Sequence, residues 1–343
     1  MGMTNEIWAA GMTKVVPGFP ATQSRKTNPA PSKVVQVMSP FTHLHRLVLT
    51  ALLLAGLRAE AQEHHRGIGV ENPFDSLFNE VQRTHINSSP TLLTWPGQFP
   101  GVLDPDAPMA TDRPDVTEAS STVGPGVLQI ETGYTYSREG SGSNLAEAES
   151  FPEALFRYGT PINWLELRLA TSMAREKTVL DSSIGAEDLY LGAKIGLTLQ
   201  DGILPEMALV PQMTVPSGSN NFSDDAVLPG VNWLYGWDIN DLVSTAGSTQ
   251  LNRSIDSGTG SSYAEWTQTW TVGYSLHDRI GAYTEWFAFI PQDADTARTE
   301  HYANGGFTVS ITDDIQWDIR AGTGLNDNAA DFFAGTGLSF RFR

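Results

Sequence analysis

The chain has 343 residues, with 21 Lys plus Arg against 39 Asp plus Glu and no cysteine. A net charge of −18 argues against a nucleic-acid binder, which needs a basic face for phosphate; without thiols, cysteine nucleophiles, Cys-ligated zinc, iron–sulfur clusters and disulfide scaffolds are excluded. No apolar run reaches the roughly 18 residues of a membrane helix, but a transmembrane barrel stays open, because alternating strands average to a polar composition.

The strongest apolar run is Leu47 to Leu57, about eleven residues, too short to span a bilayer. His43, His45 and Arg46 precede it, and Ala59-Glu60-Ala61 follows, so it reads as a secretory signal peptide cleaved after Ala61. Residues 1–61 are therefore a leader, and Met38 is an alternative start that gives a conventional signal length. Removing the leader takes away 6 basic and 2 acidic residues, which leaves 15 positive against 37 negative charges, a net −22.

From 62 to 123 the sequence lacks a sustained period, and Pro90, Pro96, Pro100, Pro105, Pro108 and Pro114 punctuate it. This predicts an irregular periplasmic arm, with a short helix around 74–83 and a position suited to plugging the periplasmic mouth. His64 and His65 beside Glu63 are a metal-ligating combination, but a new N-terminus exposes such residues to solvent in any case.

After Gly124-Pro125-Gly126 the pattern changes to alternation with period two. Leu128, Ile130, Tyr134 and Tyr136 oppose Gln129 and Glu131. Phe156 and Tyr158 oppose Glu153 and Arg157, and Leu165, Leu167 and Leu169 oppose Glu166 and Arg168. Leu189, Leu191, Ala193 and Ile195 oppose Tyr190 and Lys194. Further runs fall near 206–215, 230–237, 242–251, 264–276, 280–290 and 302–311. Ile315, Trp317 and Ile319 oppose Asp318 and Arg320, and the last run, 332–342, places Phe332, Leu338, Phe340 and Phe342 on one face. The total is about twelve strands, an even number, in 124–343.

Short connections near 160–163, 198–204, 238–241, 277–279 and 312–314 alternate with longer polar ones near 138–150, 174–183, 216–229, 252–262, 291–299 and 326–330. An all-β, antiparallel up-and-down barrel has this rhythm, with tight periplasmic turns and longer outer loops, whereas Greek-key crossovers of a soluble sandwich break it. Charge placement agrees: Glu131, Glu153, Arg157, Glu166, Arg168, Lys194, Asp318 and Arg320 all oppose the apolar stripe and are the expected lumen lining. Trp164, Trp237 and Trp317 stand beside short turns, as an interfacial aromatic belt would. The closing Phe340-Arg341-Phe342-Arg343 is similar to the aromatic end of barrels assembled in the bacterial outer membrane, with Arg343 as an addition.

Several strings carry a family resemblance: Thr111-Asp112-Arg113-Pro114-Asp115-Val116-Thr117-Glu118, Gly126-Val127-Leu128-Gln129-Ile130-Glu131, Phe156-Arg157-Tyr158-Gly159, Leu209-Val210-Pro211, Gln316-Trp317-Asp318-Ile319-Arg320 and Gly337-Leu338-Ser339-Phe340. Together, over about 110–343, they resemble the family called putative MetA-pathway of phenol degradation. The resemblance implies an outer-membrane barrel of transporter type, with small aromatic compounds suggested by the family's name.

No constellation for chemistry emerges, so the chain is expected to be no enzyme and to need no cofactor. In the barrel region only His277 and His301 could serve as bases; Asp224-Asp225 and Asp293 with Asp295 sit on outer loops, where solvated acids are ordinary. The expected function is passive transport of small solutes across the bacterial outer membrane. The expected partners are outer-membrane lipid and the barrel-assembly machinery, with no nucleic acid. Two alternatives remain at this stage, a structural or adhesive surface barrel and a soluble exported β-sandwich that binds ligands.

Overall fold

The computed structural model describes residues 109–343. The expected leader and signal peptide, the His64–His65 pair and the expected arm and short helix up to 108 lie outside the described residues.

Among the described residues fifteen strands form one antiparallel sheet: β1 Leu128–Glu139, β2 Ala146–Ser150, β3 Ala154–Gly159, β4 Leu165–Thr171, β5 Met173–Thr178, β6 Ser182–Ala186, β7 Leu189–Thr198, β8 Glu206–Val215, β9 Leu228–Asn240, β10 Val243–Ile255, β11 Ser262–His277, β12 Ile280–Gln292, β13 Glu300–Thr312, β14 Ile315–Gly324 and β15 Phe332–Phe342. Twelve of them run in the order β1-β3-β4-β7-β8-β9-β10-β11-β12-β13-β14-β15, and β15 returns to β1. The closing seam is in register from Leu128↔Phe342 to Arg138↔Phe332. Closure pairs the first of these twelve strands with the last, which lipid demands because it offers backbone groups no hydrogen-bond partner. A two-sheet sandwich is thereby excluded.

The remaining three strands, β2, β5 and β6, correct the expectation of loops at 138–150 and 174–183. The lower part of β1 pairs with β3 and its upper part with β2, so β2 and β3 are one wall strand interrupted at 151–153. β5 pairs with β2, and β6 with β5, so the ladder continues here where loops were expected. The local sequence explains it. Ala146-Glu147-Ala148-Glu149 alternates small buried and charged residues, and Glu149 and Glu147 pair with Arg175 and Lys177 at 3.0 and 2.9 Å across the ladder. Polar composition suggested loops here, but the period-two pattern of the charges carries the strands.

The wall is inside out. Leu167, Trp270, Trp266 and Ile319 are 49, 43, 42 and 42% exposed on the outer face, whereas Arg157, Glu166, Lys194 and Asp318 are 0% exposed within. Water would penalise this arrangement, and a bilayer favours it, since a charge on the lipid side at mid-depth costs roughly 2–4 kcal/mol.

At the end away from the short turns, Asp256 ties two loops together. Its carboxylate accepts the Thr296 N–H at 2.6 Å and hydroxyl at 2.5 Å, and the N–H groups of Ala297 and Gly258 at 3.1 and 3.0 Å. Burial alone would raise its pKa, but these hydrogen bonds outweigh burial and hold it at about 2. Because the folded value lies below the unfolded one of about 3.9, the tie is at full strength above that pH and is lost as pH falls through about 2.

Leu169→Arg on the outer face is expected to cost roughly 2–4 kcal/mol, read by urea unfolding in lipid vesicles; an unchanged midpoint would mean that this face does not meet lipid. Asp256→Asn is expected to open the 256–261 and 293–299 loops to protease at neutral pH, where the parent chain resists. Equal cleavage of the two would show that this carboxylate does not hold the loops.

Candidate functional site

All eight charged residues expected on the inner face lie inside the barrel: Glu131, Glu153, Arg157, Glu166, Arg168, Lys194, Asp318 and Arg320 are each at most 5% exposed. They do not line an open bore. Residues 110–123 fill the space between them as a re-entrant loop that enters and leaves at the short-turn end. On the way in, the Gln316 side-chain amide donates to the Thr111 hydroxyl at 2.8 Å. On the way out, the Thr122 hydroxyl donates to the Asn163 carbonyl, in the β3–β4 turn, at 3.3 Å. The two limbs are bridged by the Ala119 N–H, which donates to Asp112 at 3.0 Å, and by Arg157, which donates to the carbonyls of Ala110 and Ser121 at 3.1 and 3.2 Å.

Asp112 is the hub. Arg168, Lys194 and Arg157 stand 2.7, 3.1 and 3.4 Å from its carboxylate, so three wall cations converge on one arm anion. Those cations are shared with acids: Arg157 bonds Glu131 at 3.0 Å and Glu166 at 2.8 Å, and Arg168 reaches Glu118 at 3.1 Å. The arm backbone is held as well. Glu131 accepts the N–H groups of Asp112 and Arg113 at 3.0–3.1 Å, Glu285 accepts those of Val116 and Thr117, and Glu166 accepts that of Val123 at 2.9 Å. Lys194 donates to the Ala119 carbonyl at 2.6 Å and Arg320 to that of Pro114 at 2.8 Å. Charged lumen groups thus satisfy backbone that has no ladder of its own.

Arg113 binds across the barrel's closing seam. It pairs with Glu153 at 2.6 Å and Asp318 at 3.3 Å, and it lies over Gly133 and Gly337, which face each other in the β1–β15 register. A Cβ at either glycine would overlap the guanidinium. Two glycines therefore make the slot in which the arm staples the last strand to the first.

The apex of the loop, Val116, meets an apolar cluster that sequence reasoning missed. Phe287, Phe289, Tyr302 and Phe333 point inward at the loop end of the barrel, packed with Val116, Ala329 and Ala330. Phe287 stacks on Tyr302 with centroids 4.8 Å apart and planes at 14°. The signal was present: Phe287 and Phe289 alternate with outward Trp286, and the strand has aromatic residues on both faces.

The arm occupies one side of the lumen. Beside it, toward β8–β12 at the short-turn end, a chamber of about 580 Å³ remains, walled by Asp115, Glu118, Ser120, Glu206, Asp238, Thr271 and Tyr283 among others. The other sequence candidates stand apart from it. His301 stacks on Trp286 at 5.9 Å, His277 ends β11 at a short turn, and Asp295 accepts hydrogen bonds from Thr259 and Ser261. Asp224 and Asp225 lie in the β8–β9 loop, and Asp293 follows β12 with a positive φ of 57°. Among the described residues no three metal-ligating side chains gather.

The family model described as putative MetA-pathway of phenol degradation matches residues 111–342. The chain belongs to this family. The match starts in the arm, before β1, so in this MetA-pathway chain the lumen loop and the wall fall within one matched unit. Among solved structures, an outer membrane channel from Pseudomonas putida F1 has the same fold at 13% identity, with 65% of this chain and 98% of that chain covered and a TM-score of 0.52. The NanC porin follows at 16% identity, 62 and 98% coverage and 0.43, and the translocator domain of the autotransporter NalP from Neisseria meningitidis at 14%, 64 and 89%, and 0.42. No curated protein matches the sequence.

Asp112→Ala is expected to leave three buried cations without their shared anion and to cost about 3–5 kcal/mol. Amide hydrogen exchange across 112–123 should accelerate while the ladder amides of β9–β12 stay protected. An arm that exchanges no faster would show that the ion network does not hold it.

Proposed function

We propose that this chain is a passive channel of the bacterial outer membrane for small solutes, with small aromatic or hydrophobic compounds as its preferred cargo. The observation that carries this reading is the divided lumen. The arm packs against the charged side, which admits nothing further, while a chamber large enough for a small molecule stays open beside it. At the loop end the way in is closed by side chains of low polarity, Phe287, Phe289, Tyr302 and Phe333 against Val116. An apolar constriction raises the barrier for strongly hydrated solutes by dewetting and favours those that shed water cheaply. Aromatic solutes also gain from offset stacking on such rings. The family description, which mentions phenol degradation, points the same way.

The arm, in this reading, sets the bore. Planar-bilayer recording is expected to show a small unitary conductance that rises several-fold when residues 109–123 are deleted, since lumen cross-section scales the current. Liposome swelling should be faster with phenol-sized aromatics than with sugars of similar mass. Equal conductance with and without the arm would end its role as the constriction. Sugars entering as fast as aromatics would end the cargo assignment.

A further inference from the structure

The open chamber has acidic but no basic side chains in its wall. Asp115, Glu118, Glu206 and Asp238 contribute carboxylates to its wall, and no lysine or arginine is part of it. Glu118 is answered by Arg168 from behind the wall at 3.1 Å. Glu206 accepts a hydrogen bond from the Ser120 hydroxyl at 2.6 Å, and among the described residues neither it nor Asp115 nor Asp238 has a cation partner. The five wall and arm cations are drawn to the other side of the lumen by Asp112, Glu131, Glu153, Glu166 and Asp318.

A second observation is independent of these acids. Tyr283, on β12, forms part of the same chamber and is only 7% exposed, yet its hydroxyl has no hydrogen-bond partner among the described residues. A buried phenol left unpaired is destabilising, and a bound polar species removes that cost. Its oxygen can join a cation's coordination sphere, and its ring face attracts positive charge.

We propose that this chamber is a binding and selection site for small monovalent cations, so that current through the barrel is carried by cations. The selectivity part rests on the channel reading above; the site itself does not. Carboxylates without counterions on the walls of a confined, low-dielectric cavity focus the field and concentrate cations within it. The arm creates the asymmetry by drawing the basic residues of the lumen to itself.

The test uses the full chain in a planar bilayer under a steep KCl gradient. The reversal potential should lie toward the potassium equilibrium value, and Glu206→Gln with Asp238→Asn should cut it by about half or more. A reversal potential near zero, or of anion sign, or unchanged in the double variant overturns the proposal and leaves the channel reading standing. Binding of Tb³⁺, followed by emission sensitised through tyrosine and tryptophan in detergent-solubilised protein, needs no current. The double variant should lose about twofold or more of the emission at limiting Tb³⁺. If no current flows in any chain, the channel reading falls. Loss of Tb³⁺ emission in the variant then still supports the cation site, and unchanged emission overturns it.

Discussion

The ion network centred on Asp112 is the interaction on which the rest of the interior depends. A barrel of twelve strands has room inside for more than its own side chains, and here five cations, Arg113, Arg157, Arg168, Lys194 and Arg320, are buried in that space. Buried charge of this density is tolerable only when it is paired and hydrogen-bonded in full. The wall does not achieve this alone. Asp112 supplies the anion that Arg168 and Lys194 share, Arg113 supplies the cation between Glu153 and Asp318, and arm carbonyls accept from Lys194 and Arg320. Wall and arm are therefore electrostatically incomplete without each other.

That dependence has a geometric consequence. Because the charges that pair with Asp112 and Arg113 come from β3, β4, β7, β14 and the β2–β3 link, the ion network lies on that side of the lumen. The chamber is what remains. The arm reaches β8–β12 through Glu206, Asn232, Thr269 and Glu285. The closing seam shows the same economy, since Gly133 and Gly337 are small where Arg113 must lie flat. One segment of 14 residues, 110–123, thus braces the seam, neutralises the lumen and shapes the open space.

Much of this was legible in the sequence, for identifiable reasons. Strand faces follow from period-two alternation, so Glu131, Arg157, Glu166, Arg168, Lys194, Asp318 and Arg320 could be assigned to the interior from single strands. What alternation does not encode is the partner across the bore. The string Thr111-Asp112-Arg113-Pro114 stood out as part of a family resemblance, yet nothing local in it says that Asp112 meets cations from three different strands. The β2, β5 and β6 segments look like loops in the sequence because Glu147, Glu149, Arg175 and Lys177 are charged, although their pairing across the ladder is what stabilises β2 and β5. The inward Phe287 and Phe289 were unreadable from polarity, because β12 carries Trp286 and Ile290 on its outer face and looks apolar on both.

The claim that the arm threads the lumen and is held there by charge is tested most directly by thiol accessibility, since the chain has no cysteine of its own. Val116→Cys places a single thiol at the apex of the arm, against Phe287 and Tyr302. In membrane-embedded protein it should resist a membrane-impermeant maleimide, and the same thiol combined with Asp112→Ala should react readily. A Val116→Cys chain that labels as fast with the ion network intact as without it would contradict the account.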